Sequence, residues 1–128
     1  DQHLHYVHNF LNIERYKITS EIEAPTGSCA LGFEFEKTGT EKLGAGGIGR
    51  LCLNGKLAGA GKITRTSVVR YHLADDGLCC GYDSQTPTSE DYDSPFRFSG
   101  KLKRVIVNVN GDSYSDPELE YKIAMAKQ

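Results

Sequence analysis

Residues 75–96, DDGLCCGYDSQTPTSEDYDSPF, hold the densest polar chemistry of the chain. Asp75, Asp76, Asp83, Glu90, Asp91 and Asp93 lie there with Tyr82 and Tyr92. Clustered carboxylates among backbone carbonyls suit a hard cation such as calcium. Aromatic rings beside polar groups on a loop suit a sugar-like ligand. Two sets of candidates follow: Tyr82, Asp83, Glu90, Asp91 and Tyr92 for ligand binding, and Asp75, Asp76 and Asp93 for a metal. The spacing is not that of an EF-hand, which needs oxygens at alternate positions, a central Gly and a terminal Glu. The alternative is a solvated loop with Asx turns at Asp83 and Asp93.

A second stretch, Gly44-Ala45-Gly46-Gly47-Ile48-Gly49, fits G-x-G-x-x-G. That fingerprint binds a pyrophosphate when a strand enters the glycines and a helix leaves them. Here Arg50-Leu51-Cys52-Leu53-Asn54-Gly55 follows, a strand pattern running into a hairpin signal. The ribose-binding acid expected about 20 residues on is missing, since residues 60–74 contain no Asp or Glu. The glycines are expected instead to turn a loop or to let another backbone approach closely.

Other constellations point to ordinary structure. Glu34 and Glu36 share a strand face, but no E-x-D-x-x-E spacing of a jelly-roll glycosidase is present, so they are expected on a wet face. His3 and His5 have the spacing to share a strand face and chelate a metal, although a frayed terminus is the expectation. No G-x-S-x-G nucleophile turn exists. Cys29, Cys52, Cys79 and Cys80 form no C-x-x-C pair of a zinc site; Cys29 and Cys52 sit at apolar strand positions and read as buried free thiols. No basic patch interleaves with aromatics, and the net charge of -2 exerts no long-range pull on nucleic acid or anionic membrane.

The elements that must position these residues alternate with period two. In HLHYVH, Leu4, Tyr6 and His8 share one face, and IERYKITS continues as a second extended run. In SCALGFEFEK, Cys29, Leu31, Phe33 and Phe35 point to the core while Ala30, Gly32, Glu34 and Glu36 point out. Asn54-Gly55 between two alternating runs is a hairpin signal, because both residues tolerate positive φ. VVRYHL, GLCCGY, FRFSG and LKRVIVNV are further candidate strands, the last with Val105, Val107 and Val109 on one face. That makes eight to ten short strands. Only the tail reads as a helix: Ser115-Asp116-Pro117-Glu118 supplies a cap, an early proline and a capping-box acid, and Leu119, Ile123 and Ala126 share a face over 117–127.

The totals fit this picture. A chain of 128 residues suits a single domain over 1–128. Area scaling lets such a chain bury roughly two-thirds of its unfolded surface. The 14 glycines imply many turns and close backbone contacts. No run of about 18 apolar residues spans a membrane, and no signal-peptide pattern appears. The start on Asp1 is that expected of a processed form or an excised piece. The expected architecture is all-β, an antiparallel sandwich with a C-terminal helix.

One longer pattern carries a resemblance. Gly77-Leu78-Cys79-Cys80-Gly81-Tyr82-Asp83, then Thr86-Pro87-Thr88-Ser89-Glu90-Asp91-Tyr92, then Pro95-Phe96-Arg97-Phe98-Ser99-Gly100-Lys101-Leu102, resembles the C-terminal domain of the bacterial arylsulfatases. NFLNIERYKITS, GFEFEKTGTEKLGAGGIGRLCLNGK and DPELEYKIAMAKQ are similar to that domain's first strands, glycine-rich loop with hairpin, and closing helix. The likeness covers nearly the whole chain in order. It implies a concanavalin A-like jelly roll and a parent enzyme that hydrolyses sulfate esters with a formylglycine beside calcium. Formylglycine arises from Cys or Ser in C-x-P-x-R, and none of the four cysteines has a proline two residues on, nor does a serine head such a motif. The resemblance therefore implies a non-catalytic accessory domain without a cofactor of its own. Its implied partner is the catalytic domain of the same polypeptide, in the cytoplasm or periplasm, with a homo-oligomer as a further arrangement. The chain departs from the pattern at Cys79, where the family carries an Asp, so any polar role of that Asp does not transfer. The other function class open to the residues is a lectin-like module with Tyr71, Tyr82 and Tyr92 as platforms.

Overall fold

A computed structural model describes residues 1–68, 78–84, 86–109 and 125 of the chain. The chain falls into two compact units, Asp1–Val68 with Pro87–Asp93, and Val69–Thr86 with Ser94–Gln128. The described elements are all strands, and every pairing is antiparallel. Among the described residues no helix is long and apolar enough to cross a membrane.

The first unit begins with a two-stranded ribbon, β1 (His3–Phe10) and β2 (Glu14–Glu23). Its turn places Leu11 and Asn12 at positive φ, and the Ile13 N–H donates to the Phe10 carbonyl. The register pairs Tyr6 with Ile18 and His8 with Tyr16. Leu4, Tyr6 and His8 therefore share the inner face with Tyr16 and Ile18, as their alternation predicts. The ladder slips between His3 and His5. There the Leu4 N–H donates to Ser20 Oγ at 3.0 Å, and that buried hydroxyl donates to the Ile22 carbonyl at 2.6 Å. The histidine-bearing end is a paired strand; the expectation of a frayed terminus is corrected.

A three-stranded sheet follows, ordered β3 (Leu31–Lys37), β4 (Gly47–Leu53) and β5 (Lys56–Ile63). Asn54 and Gly55 at φ 51° and 78° close a two-residue hairpin, and Leu53 pairs with Lys56. Positive φ at both positions matches the twist of the strands, which is why Asn-Gly serves there. The glycine hexamer leads straight into β4. At Gly47 a Cβ would lie 2.1 Å from the Glu36 carbonyl, so the hexamer allows close backbone approach, and no helix leaves it.

Ile18, Leu51 and Ile63 form the core, with Leu4, Tyr6 and Tyr16 packed against them. Gly49 pairs with Gly61, and Ile18 is seated over both. Tyr6 stacks on Phe33 with ring centroids 3.6 Å apart. The remainder of the inner row on β3 is more open than its alternation predicts: Leu31, Phe33 and Phe35 are 51%, 37% and 41% exposed. The cause is position. Among the described residues β3 is an edge strand, and the ribbon centres on the glycine pit between β4 and β5. Cys29 lies outside β3, and Cys52 falls on the outward face of β4; both thiols are free and half-buried rather than buried.

In the second unit β6 (Tyr82–Asp83) pairs with β7 (Phe96–Arg97), and the Phe98 N–H donates to the Gly81 carbonyl. The longer runs GLCCGY and FRFSG contribute only these two-residue strands. Residues 101–109 form no strand, against the expectation for LKRVIVNV: a strand needs a partner for its backbone, and no ladder reaches this run among the described residues. Five long and two short strands are described, against eight to ten expected. VVRYHL apart from Val68, and the helix expected over 117–127 apart from Met125, lie outside the described residues.

Candidate functional site

The acidic stretch is divided between the two units. Glu90, Asp91, Tyr92 and Asp93 belong to the first unit, Tyr82 and Asp83 to the second. Asp75, Asp76 and Tyr71 lie outside the described residues.

Residues 87–93 dock on the outward face of the ribbon. Because Tyr16, Ile18 and Ser20 point inward, Arg15, Lys17 and Thr19 point out. Arg15 Nη1 donates to Glu90 Oε1 at 3.0 Å, and Lys17 Nζ to Asp91 Oδ2 at 2.7 Å. Asn9 Nδ2, on the neighbouring strand, donates to the Thr88 carbonyl at 3.3 Å. Inside the segment the buried Ser89 hydroxyl donates to Asp91 Oδ2 at 2.6 Å and accepts the Asp91 N–H at 3.1 Å. The Tyr92 hydroxyl accepts the Thr88 N–H at 3.1 Å. The Lys17 ammonium, then Ser89, hold the Asp91 carboxyl below the usual carboxylate range. Water screens these exposed pairs, so each is weak alone; together they form a strap with three anchor points. Glu90 and Asp91 thus serve as its anchors.

At the N-terminal end of the ribbon, Asp1 Oδ1 is hydrogen-bonded to His5 Nε2 at 2.9 Å and accepts the His3 N–H at 2.9 Å. His5 Nδ1 is hydrogen-bonded to Thr19 Oγ1 at 2.9 Å. Both ring nitrogens of His5 are therefore occupied. Among the described residues no group of three His, Cys, Asp or Glu side chains is placed to hold a metal ion.

The turn end carries a cluster the sequence did not announce. Glu14 accepts from the Tyr16 hydroxyl and from Arg65, whose Nη2 lies 3.0 Å from Oε1. Tyr16 Oη also meets Thr64 Oγ1 at 2.6 Å, and the Arg65 guanidinium lies 4.2 Å from the Phe10 ring centroid. The Tyr16 hydrogen bond first, then Arg65, lowers the Glu14 pKa. Fifty-one residues separate Glu14 from Arg65. No local spacing signals such a pair. On the sheet's outer face Glu36 accepts from Arg50 at 2.7 Å, which fits the wet face expected for Glu34 and Glu36.

In the second unit the Tyr82 ring is 49% exposed, and the Arg97 guanidinium lies 5.8 Å from its centroid. Asp83 follows it in β6, half-buried. This is the aromatic surface among the candidates. Comparison with protein-family models, curated proteins and solved structures returns no match to this chain.

Proposed function

We propose that this chain is a non-catalytic accessory domain of a hydrolase resembling the bacterial arylsulfatases, folded as a jelly roll closed by a helix over 117–127. The observation that carries the reading is the use of the acidic segment: Glu90 and Asp91 engage Arg15 and Lys17 and hold the chain to its own ribbon. The antiparallel strands support it, and so does the order of the resembling motifs. No C-x-P-x-R is present to generate an aldehyde nucleophile. In this reading the formylglycine and calcium belong to the catalytic domain of the same polypeptide, and this part packs on that domain or shapes its entrance. The purified chain should release no product from a chromogenic aryl sulfate. The full-length protein should carry C-x-P-x-R upstream, with the formylglycine seen by peptide mass spectrometry. Turnover by the chain alone, or a full-length protein without the motif, refutes the reading.

The exposed Tyr82 ring beside Arg97 favours a second reading, a lectin-like module for anionic sugars. Calorimetry with sulfated oligosaccharides separates the two. Saturable binding abolished by Tyr82→Ala supports the lectin; absence of heat supports the accessory domain.

A further inference from the structure

The hairpin between β4 and β5 holds a reactive pair as well as a turn. An asparagine carboxamide is open to attack by the backbone nitrogen of the next residue, which closes a succinimide ring. A side chain on that next residue crowds the nitrogen, and glycine has none. Asn9, Asn12 and Asn108 precede Phe10, Ile13 and Val109, which are all bulky. Asn54 precedes Gly55. Both are exposed, and a Cβ placed on Gly55 would have nothing within 4 Å.

Asn54 is also clamped. Its N–H donates to the Ala30 carbonyl at 2.8 Å, and its Oδ1 accepts the Ala30 N–H at 2.9 Å. The side chain thus carries the β3–β4 ladder one position past the Leu31–Leu53 pair. Ring closure swings the carboxamide carbon onto the Gly55 nitrogen, so it waits for the carboxamide to leave Ala30. Such local opening is a normal event at an exposed strand end.

We propose that Asn54 is a deamidation site of the folded chain, and that opening of its clamp on Ala30 sets the rate. The Gly55 nitrogen gives its proton to water and bonds to Asn54 Cγ. The tetrahedral adduct expels Nδ2, with a proton, as ammonia. Water then opens the succinimide at either carbonyl, to aspartate or to isoaspartate. The net change is water taken up and ammonia released, with no oxidant or reductant. The two products differ in what they keep. Aspartate retains an oxygen for the Ala30 N–H, and Asp-Gly still suits this turn. Isoaspartate routes the backbone through Cβ, which adds a carbon to the turn and breaks the Leu53–Lys56 pairing. The site stands apart from the accessory-domain reading, since neither aryl sulfate turnover nor sugar binding enters its test.

The purified chain is aged at mildly alkaline pH, folded and unfolded in urea, then digested with trypsin beside an unaged sample. The peptide Leu51–Lys56 reports Asn54 apart from Asn110-Gly111, and fragmentation separates aspartate from isoaspartate. Asn54 should convert in the folded chain, slower than in urea by about tenfold or more, as two hydrogen bonds of ordinary strength imply. Ala30→Pro keeps the carbonyl and removes the donor to Oδ1, so folded-state conversion should rise about fivefold. Circular dichroism checks that this variant folds. Where it does not, Ala30 amide exchange in sub-denaturing urea replaces it, and exchange and Asn54 conversion should rise together. Conversion in urea but none in the folded chain overturns the site. Equal rates in the two states overturn the clamp. So does a folded Ala30→Pro chain that converts no faster, or conversion that stays flat while Ala30 exchange rises.

Discussion

Adding one carbon at Gly61 tests how β2 is seated on the sheet. A Cβ there would lie 2.8 Å from Ile18 Cγ1, 3.2 Å from its Cδ1 and 3.8 Å from its Cβ. Ile18 is 5% exposed and sits in a pit whose other wall is Gly49, where a Cβ would meet Ile18 Cδ1 at 2.7 Å. The isoleucine therefore has no room to give way. Overpacking of this kind costs about 1–3 kcal/mol. The smaller entropy of the unfolded alanine chain offsets roughly 0.4–1 kcal/mol of that. Gly61→Ala alone should thus destabilise by about 1–2 kcal/mol. Ile18→Ala alone removes Cγ1 and Cδ1 from the core and should cost about 2–5 kcal/mol. In the double variant the only Ile18 atom left near position 61 is the Cβ, at 3.8 Å, an ordinary contact. There the alanine at 61 is expected to be neutral or slightly stabilising. The double variant should be more stable than the sum of the single losses by about 1–3 kcal/mol. The assay is urea unfolding followed by far-UV circular dichroism, since the chain has no tryptophan to report by fluorescence. Losses that add within about 0.5 kcal/mol would show that Ile18 does not fill the Gly61 pit, and the account of the core would fail.

Other substitutions separate backbone strain, charge and burial. Gly55→Ala places a side chain at φ 78° with nothing within 4 Å, so it should cost about 1 kcal/mol with no rescue by Ile18→Ala in the same urea assay. Lys17→Met or Asp91→Asn should speed proteolytic cleavage within residues 87–93, and added salt should do the same to the unmodified chain, because exposed ion pairs are screened. Asp91 and Glu14 have folded pKa values below their unfolded ones, so their stabilisation is complete above the ordinary carboxylate range and lost as pH falls through the lowered values; acid titration with Asp91→Asn should lack its share. Burial lowers the His8 pKa, and its Nε2 is buried without a hydrogen-bond partner. The folded state favours the neutral ring, so stability should fall as pH drops below about 6.5 toward the folded value. His8→Phe should flatten that part of the profile without destabilising the chain at neutral pH.

Local patterns were legible wherever one residue's neighbours decide its conformation. Asn54-Gly55 announced its hairpin because positive φ at adjacent residues is rare outside these types. The inner face of β1 was legible because a period of two leaves no other choice for Leu4, Tyr6 and His8. Illegible were the pairings made across long separations. Lys17 meets Asp91 74 residues away, and Glu14 meets Arg65 across 51. Nothing in the spacing of EDYD reveals that Glu90 and Asp91 reach Arg15 and Lys17. The cysteines show a related limit. Apolar strand positions suggested that Cys29 and Cys52 are buried, but a place before β3 begins and the outward face of β4 leave both half-buried.

Alternation also states that a face needs cover without stating what supplies it. On β2 the requirement is met inside the chain: Ile18 enters the pit of Gly49 and Gly61, and the fit is tight enough that one methyl group is felt. On β3 the same kind of row meets, among the described residues, one ring, Tyr6 on Phe33, and Leu31 and Phe35 stay half exposed. Strand order explains the difference. β4 and β5 flank the pit that receives the ribbon, whereas among the described residues β3 has a neighbour on one side alone. An edge with an apolar row tends to recruit a further strand unless charge or proline blocks it. β3 carries Glu34 and Glu36 on its outer face only, and no proline. Its inner row therefore carries neither of the devices, charge or proline, that keep an edge solitary.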